Sequence, residues 1–134
     1  MSKRILVVDD EPVMVRLLQS LLEGWGYTVE TTRGGDDALK ALDQKAYDGM
    51  TLGIFMPMIN GFEVLRKLRQ TNQSMTVVIL SAGYPHLNER DMRFLQDNAQ
   101  VLLQKPFPLE ELKQVVERWF GAPESSPSDS LTEL

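Results

Sequence analysis

The sequence of 134 residues contains no cysteine and only one histidine. The lack of cysteine excludes disulfide bonds, thiolate nucleophiles and thiolate-bound metals, and it permits a reducing compartment. The single histidine, His86, follows a proline in a predicted loop and lacks the partner residues of a histidine metal site or a Ser/His/Asp triad. The chemistry of this chain must therefore come from other side chains.

Long apolar runs and long basic runs are also missing. The apolar stretch near the N-terminus is interrupted by acids after Val8 and is too short for a signal peptide or a membrane span. The net charge is −5, and part of it comes from three acids in the last fourteen residues. Without a lysine- or arginine-rich run there is no electrostatic footprint for nucleic acid. We expect a cytoplasmic protein that binds neither membranes nor nucleic acid directly.

Short apolar runs alternate along the chain with segments of helical periodicity. Such alternation predicts an α/β domain with a parallel sheet and helices on both faces. Residues 1–121 form this domain, and the Ser/Pro-rich, acidic residues 122–134 are predicted to be a disordered tail or the start of a linker. The predicted strands are residues 4–8, 27–32, 50–54, 75–80 and 101–103, and helices follow each of them, the last spanning 108–120.

The stretch from Asp48 to Gly61 is the most informative segment. Its apolar run ends at Met56-Pro57 and turns at Asn60-Gly61, as expected for a buried strand that delivers its end into a loop. Other predicted strands end in chemically useful residues, and ligands bind beyond the carboxyl ends of the strands in such sheets. These residues are Asp9 and Asp10, Ser81, and Lys105. Taken singly, they also fit ordinary roles as helix caps, turn residues or solvated charges.

Together these motifs, in this order and spacing, resemble the receiver domain of two-component response regulators, over residues 3 to 120. The resemblance implies a flavodoxin-like doubly wound sheet of five parallel strands in the order 2-1-3-4-5, with five helices. It also implies that Asp9 and Asp10, with the backbone of Phe55, bind Mg²⁺. Ser81 and Lys105 then form the phosphoryl pocket, and the peptide bond from Lys105 to Pro106 is cis.

One position departs from the family pattern. In receivers the aspartate that accepts a phosphoryl group lies four residues before the proline of the loop after strand three. That proline is Pro57 here, so the position is occupied by Gly53. An acyl phosphate needs a carboxylate nucleophile, which glycine lacks. Thr51 lies two residues earlier and should be buried below the pocket, so it is a poor substitute. We therefore expect weak Mg²⁺ binding and a salt bridge from Lys105 to Asp9 or Asp10.

A second departure concerns the conformational switch. Receivers often carry a tyrosine or phenylalanine three residues before the lysine of the Lys-Pro pair, which is Lys105 here. This chain has Leu102 at that position. Without a phosphoryl group or a switching aromatic, the domain is expected to stay largely in one state or to be switched by another ligand. The resemblance implies protein partners, such as a histidine kinase or an output effector, and a homodimer through helix four, strand five and helix five.

Three hypotheses follow. The first is a pseudo-receiver that acts by phosphorylation-independent protein–protein interaction. The second is a conventional phospho-accepting receiver that carries an Asp-to-Gly variant at position 53. The third, which comes from another class, is a small metal-dependent enzyme that processes phosphate with Asp9, Asp10 and Lys105. The third lacks a general base and a phosphate-binding glycine loop, so we do not expect an enzyme.

Overall fold

The computed structural model describes residues 3–82 and 87–122. His86 and nearly all of the predicted tail, residues 123–134, lie outside the described residues. In the described part, no helix combines the length and the apolar character that crossing a membrane requires.

A single sheet of five parallel strands forms the centre of the domain, and the strand order β2-β1-β3-β4-β5 confirms the predicted topology. Three central strands are buried, as expected for strands of a parallel sheet that is covered on both faces. Strand β3 is buried along its whole length, and β1 and β4 are buried except at their first residue. Their bounds are β1 (Arg4–Val8), β2 (Thr28–Thr32), β3 (Gly49–Leu52), β4 (Thr76–Ser81) and β5 (Val101–Gln104).

In the described residues four helices connect the strands and a fifth follows β5, as predicted. Proline suits the first turn of α1 because its missing N–H has no helical partner there. The side chains of Asn60 and Asn88 accept hydrogen bonds from the third residue of α3 and α4, which fixes where these two helices begin. The helices are α1 (Pro12–Gly24), α2 (Gly35–Gln44), α3 (Gly61–Thr71), α4 (Glu89–Asn98) and α5 (Leu109–Trp119).

The helices bury two separate apolar clusters, one on each face of the sheet. One cluster contains Val64 and Leu65 of α3 and Leu95 of α4. The other contains Leu18 of α1 and Leu112 of α5. Burial on both faces leaves the ends of the strands as the place where polar side chains can meet without entering a core.

Some boundaries and exposures differ from the predictions. Strand β3 ends at Leu52 rather than Ile54, because its neighbour β1 ends at Val8, which pairs with Leu52. The helical periodicity of the sequence also places Val13 and Leu17 of α1 and Leu109 of α5 on the apolar stripes of their helices, but these side chains are exposed.

Candidate functional site

A cavity of about 360 Å³ opens at the carboxyl ends of four strands. Parallel strands place their carboxyl ends at one edge of the sheet, so residues distant in sequence converge there. The cavity contains every site residue predicted from the sequence except Leu102. Its lining consists of Asp9, Asp10, Glu11, Gly53, Ile54, Phe55, Leu80, Ser81, Ala82 and Lys105.

Lys105 spans this cavity. Its Nζ atom lies 2.7 Å from Oδ2 of Asp9 and 3.0 Å from Oε1 of Glu11. The Lys105 side chain is 13% exposed and the Asp9 side chain 2%, so this ion pair is largely shielded from water. The predicted salt bridge is therefore present, and its partner is Asp9 rather than Asp10.

The protonation of Lys105 follows from these contacts. Burial by itself lowers the pKa of the lysine, because it disfavours the charged form. The hydrogen bonds and negative charges of Asp9 and Glu11 outweigh burial, so the pKa of Lys105 is raised above its ordinary value. The ammonium group is thus fully charged at neutral pH and acts as a fixed positive charge in the cavity.

The two neighbouring aspartates differ in their surroundings. Both Asp9 oxygens are used, since Oδ1 accepts a hydrogen bond from the backbone N–H of Glu11 at 3.0 Å and Oδ2 pairs with Lys105. Asp10 is partly exposed and, within the described part of the chain, makes no hydrogen bond or ion pair. Asp10 is therefore the carboxylate that an incoming cation meets without first breaking a contact.

Gly53 lies at the floor of the cavity, directly beside this pair. Its N–H donates to the carbonyl oxygen of Val8 at 2.9 Å, which continues the β1–β3 ladder one step past the strand. A Cβ atom added at Gly53 would lie 3.3 Å from Oδ2 of Asp9. That contact is tight but involves a side chain, so a side chain at position 53 would enter the cavity next to Asp9 and Lys105.

The loop after β3 folds back over Gly53. The N–H of Gly61 donates to the carbonyl oxygen of Ile54 at 2.8 Å, and a Cβ atom at Gly61 would lie only 2.3 Å from the carbonyl oxygen of Gly53. Glycine is therefore required at position 61 for this close approach. The contact fixes the backbone at position 53, whatever side chain that position carries.

Thr51 is buried as predicted, with 1% of its surface exposed. It does not line the cavity, and its Oγ1 atom is buried and has no hydrogen-bond partner among the described residues. The hydroxyl thus has neither access to the cavity nor a base to activate it.

Ser81 and Lys105 are held together by the last step of the sheet. The backbone N–H of Lys105 donates to the carbonyl oxygen of Ser81 at 2.9 Å, and the peptide bond from Lys105 to Pro106 is cis, as predicted. Ser81 is buried and lines the cavity. Leu102 lies away from it, in β5, where it pairs with Ile79 and packs against the apolar cluster.

Glu11 belongs to the site although its role was not predicted. Glu11 is the N-cap residue of α1, and its side chain accepts a hydrogen bond from Lys105. The signal in the sequence is three consecutive acids, Asp9 to Glu11, before the proline that begins a helix. We assigned only the first two of these acids to the site.

Carboxylate and carbonyl oxygens are the ligands that Mg²⁺ takes in proteins. Asp9, Asp10 and the carbonyl group of Phe55 supply such oxygens at this cavity, so the kind of donor fits the ion. The number of ligating side chains does not favour tight binding. Residues 3–82 and 87–122 hold no group of three or more His, Cys, Asp or Glu side chains arranged to bind a metal. Asp9 would also have to share its charge between the ion and Lys105.

Comparison with known proteins agrees with this geometry. The family model described as the response regulator receiver domain matches residues 5–117. The chain is 39% identical over 112 residues to the response regulator MprA of Mycobacterium ulcerans (84% of this chain, 47% of MprA). It is 40% identical over 109 residues to the transcriptional regulatory protein TcrA of Mycobacterium tuberculosis (81% of this chain, 42% of TcrA). The chain spans about half the length of these relatives.

Solved structures show the same fold. The response regulator TrrA of Thermotoga maritima, in complex with Mg²⁺-BeF, is 36% identical, with a TM-score of 0.77 and coverage of 87% of this chain and 97% of TrrA. The receiver domain of sensor histidine kinase PA1611 from Pseudomonas aeruginosa, with a magnesium ion in its active-site cleft, is 26% identical, with a TM-score of 0.79 and coverage of 90% and 99%. Family model, sequence relatives and fold agree, and the chain belongs to the response regulator receiver domain family of two-component signalling systems.

Proposed function

We propose that this chain is an atypical receiver, a pseudo-receiver that acts through protein–protein contacts without accepting a phosphoryl group at position 53. The observation that carries the proposal is the position of Gly53. It lies in the cavity beside Asp9 and Lys105, where a Cβ atom would point at the ion pair, yet glycine supplies no nucleophile there.

Among the residues that the structure describes, no other group replaces the missing carboxylate. Thr51 is buried outside the cavity, and both oxygens of Asp9 are already engaged. Glu11 is exposed and pairs with Lys105. Asp10 is the one lining carboxylate whose oxygens are not committed to a contact in the described residues, and it is better suited to hold a cation than to attack phosphorus.

The proposal includes weak binding of Mg²⁺ by Asp9, Asp10 and the backbone carbonyl of Phe55. The Mg²⁺-containing structures of TrrA and the PA1611 receiver domain support this choice of ion. When bound, the ion would neutralise the negative charge of the cavity. Lys105 lowers the affinity for Mg²⁺, because its ammonium group already pairs with the Asp9 carboxylate that the ion would need.

Partners are proposed from the family and from the length of the relatives. MprA and TcrA are about twice as long as the matched region, so receiver domains of this kind are parts of larger regulators. We propose that this domain binds a histidine kinase or an output effector in the cytoplasm, and that a homodimer would use α4, β5 and α5. We propose no enzymatic activity and no direct contact with nucleic acid.

The fit of a side chain at position 53 also favours a second candidate, a conventional receiver in which aspartate has been replaced by glycine. Gly61 keeps the backbone at position 53 in place, and the added Cβ atom meets only a side chain and a carbonyl group at van der Waals distance or slightly less. Gly53→Asp is therefore expected to restore a phosphorylation site under either candidate, and a parent sequence with Asp at position 53 would distinguish the two.

The test is intact mass after incubation with Mg²⁺ and a small-molecule phosphodonor, under conditions that preserve acyl phosphates. The unaltered chain should gain no phosphoryl mass, whereas Gly53→Asp should gain one. Gly53→Asn is the matched control, because it has the same size and no carboxylate, and it should stay unlabelled. Labelling of the unaltered chain would contradict the pseudo-receiver proposal and point to another acceptor. Failure of Gly53→Asp to react would show that position 53 is not the only change that silences the site.

A further inference from the structure

A second polar cleft lies on the other side of β1, between α1 and the loop that joins β2 to α2. Its volume is about 470 Å³, within the usual range for small-ligand sites. Like the first cavity, it is at the carboxyl end of a strand, since Thr31 and Thr32 are the last residues of β2. Its lining consists of Pro12, Val15, Arg16, Gln19, Thr31, Thr32, Arg33 and Asp37.

The charge of this cleft is opposite to that of the acidic cavity. Arg16 on α1 and Arg33 after β2 both line it, and Asp37 is the only acid that does. Within residues 3–82 and 87–122, neither arginine makes a hydrogen bond or an ion pair. A guanidinium group has five N–H donors in a planar fork, so two free guanidinium groups on one cleft offer paired donors suited to phosphate oxygens.

Thr32, which lines the cleft, has a hydroxyl group that makes no hydrogen bond in the described residues. The Oγ1 atom of this hydroxyl is buried. Buried hydroxyl groups in proteins almost always have a partner, so the Thr32 hydroxyl has spare hydrogen-bonding capacity beside the cleft. The backbone carbonyl of the same residue accepts a hydrogen bond from the N–H of Asp9 at 3.2 Å.

We propose that this cleft binds a phosphate group through Arg16, Arg33 and the Thr32 hydroxyl. An anion with several oxygens can accept from both guanidinium groups at once, while a carboxylate has only two oxygens to share between them. The site is independent of Gly53 and of any phosphoryl transfer.

The phosphate group can belong to a small metabolite or to a phosphorylated side chain, and both sources present the same chemistry. The acidic cavity is excluded as the binding place in the absence of a divalent cation. It contains Asp9, Asp10 and Glu11 against the single cation Lys105, which repels a free anion. Titration in the presence of a chelator therefore isolates the cleft.

The test is a titration of the ¹⁵N-labelled chain with inorganic phosphate, followed by backbone and arginine side-chain NMR signals, at constant ionic strength with a chelator. Signals of Thr31 to Arg33 and the side chain of Arg16 should shift and saturate. Arg16→Gln and Arg33→Gln should each weaken binding by about tenfold or more, the effect of losing one charge-assisted pair. Arg93→Gln is the matched control, since Arg93 is an exposed arginine on α4 that makes no hydrogen bond or ion pair in residues 3–82 and 87–122, and it should change the affinity less than twofold.

Glycerol 3-phosphate and a blocked phosphoserine are titrated in the same way. Arginine-dependent binding of either ester supports the proposal, and the tighter one identifies the source. Shifts that do not saturate, or an equal loss in Arg93→Gln and in the cleft variants, would show only general attraction of anions to the surface and would overturn it. All three substitutions are at exposed arginines and should leave the fold intact, which the unchanged signals of the core would verify.

Discussion

Lys105 and Asp9 form a nearly buried ion pair, with Nζ 2.7 Å from Oδ2, although they lie 96 residues apart in the sequence. The pair joins the loop after β1 to the loop after β5 across the mouth of the cavity. Before any ligand binds, the buried carboxylate of Asp9 is therefore already neutralised by Lys105. Any cation that uses Asp9 must displace or share this contact.

Lys105→Met should destabilise the protein by ~3 kcal/mol, because it leaves the buried carboxylate of Asp9 without its counter-charge. Chemical denaturation at neutral pH would measure the loss. The matched control is Glu11→Gln, which removes the second partner of Lys105. Glu11 is exposed, so this change should cost about 1 kcal/mol or less. Equal losses in the two variants would contradict the assignment of Asp9 as the main partner.

Thr51→Val should stabilise the protein by about 1 kcal/mol. The two side chains have nearly the same shape, and the Thr51 hydroxyl is buried without a partner, so its removal ends a desolvation penalty. Equilibrium unfolding in urea would detect the gain as a higher midpoint with an unchanged slope. Thr28→Val, at an exposed position of β2, is the control and should stay within 0.5 kcal/mol, about the range for surface changes. A loss of stability in Thr51→Val would show that the hydroxyl has a partner such as a bound water.

A meeting of residues at the ends of the strands could be predicted, because the carboxyl ends of parallel strands lie at one edge of the sheet. Asp9, Ser81 and Lys105 each follow a recognisable apolar run, and the order of the sheet places those runs side by side. The ion pair of Lys105 also followed from charge balance once position 53 carried no carboxylate. The strand order and the role of these residues as one site were implied by the resemblance to receiver domains, because each residue taken singly also fits an ordinary structural role.

Other features depend on packing that the sequence does not encode locally. The reach of Glu11 to Lys105 depends on how α1 leaves β1, and the end of β3 depends on the length of its neighbour. Met58, in the loop after β3, has a positive φ of 65°. A methionine there gives no local signal, because residues other than glycine seldom adopt this conformation.

Met58→Gly should stabilise the protein by about 0.5–1 kcal/mol. Met58 has φ of 65° and is 91% exposed, so its side chain contributes no burial and its Cβ atom is strained. Relief of this strain, roughly 1–2 kcal/mol, exceeds the entropy that glycine adds to the unfolded chain. Met58→Ala keeps the Cβ atom and should change stability little, which makes it the matched control in thermal or urea unfolding. A gain of the same size in Met58→Ala would locate the effect in the methionine side chain instead of the backbone.

Tyr47→Phe tests a polar cluster at the opposite end of the sheet. The hydroxyl group of Tyr47 donates to Oε1 of Glu30 at 3.0 Å, and Lys45 pairs with the same carboxylate at 3.1 Å. Burial raises the pKa of Tyr47, and the hydrogen bond and charge of Glu30 raise it further, to about 12. Loss of the hydroxyl should cost about 1.5 kcal/mol at neutral pH, because a hydrogen bond to a charged group is lost.

The pH dependence of that loss has a definite sign. A folded-state pKa above the ordinary value of 10.0 stabilises the protein fully below pH 10, and this contribution is lost as the pH rises toward 12, because the unfolded chain ionises first. The difference in unfolding free energy between the unaltered chain and Tyr47→Phe should therefore shrink between pH 10 and pH 12. Urea unfolding at several pH values would measure it, and absorbance at 295 nm would show the loss of one late-titrating tyrosine. A difference that stays constant over this range would mean that Tyr47 ionises equally easily in the folded and unfolded chains.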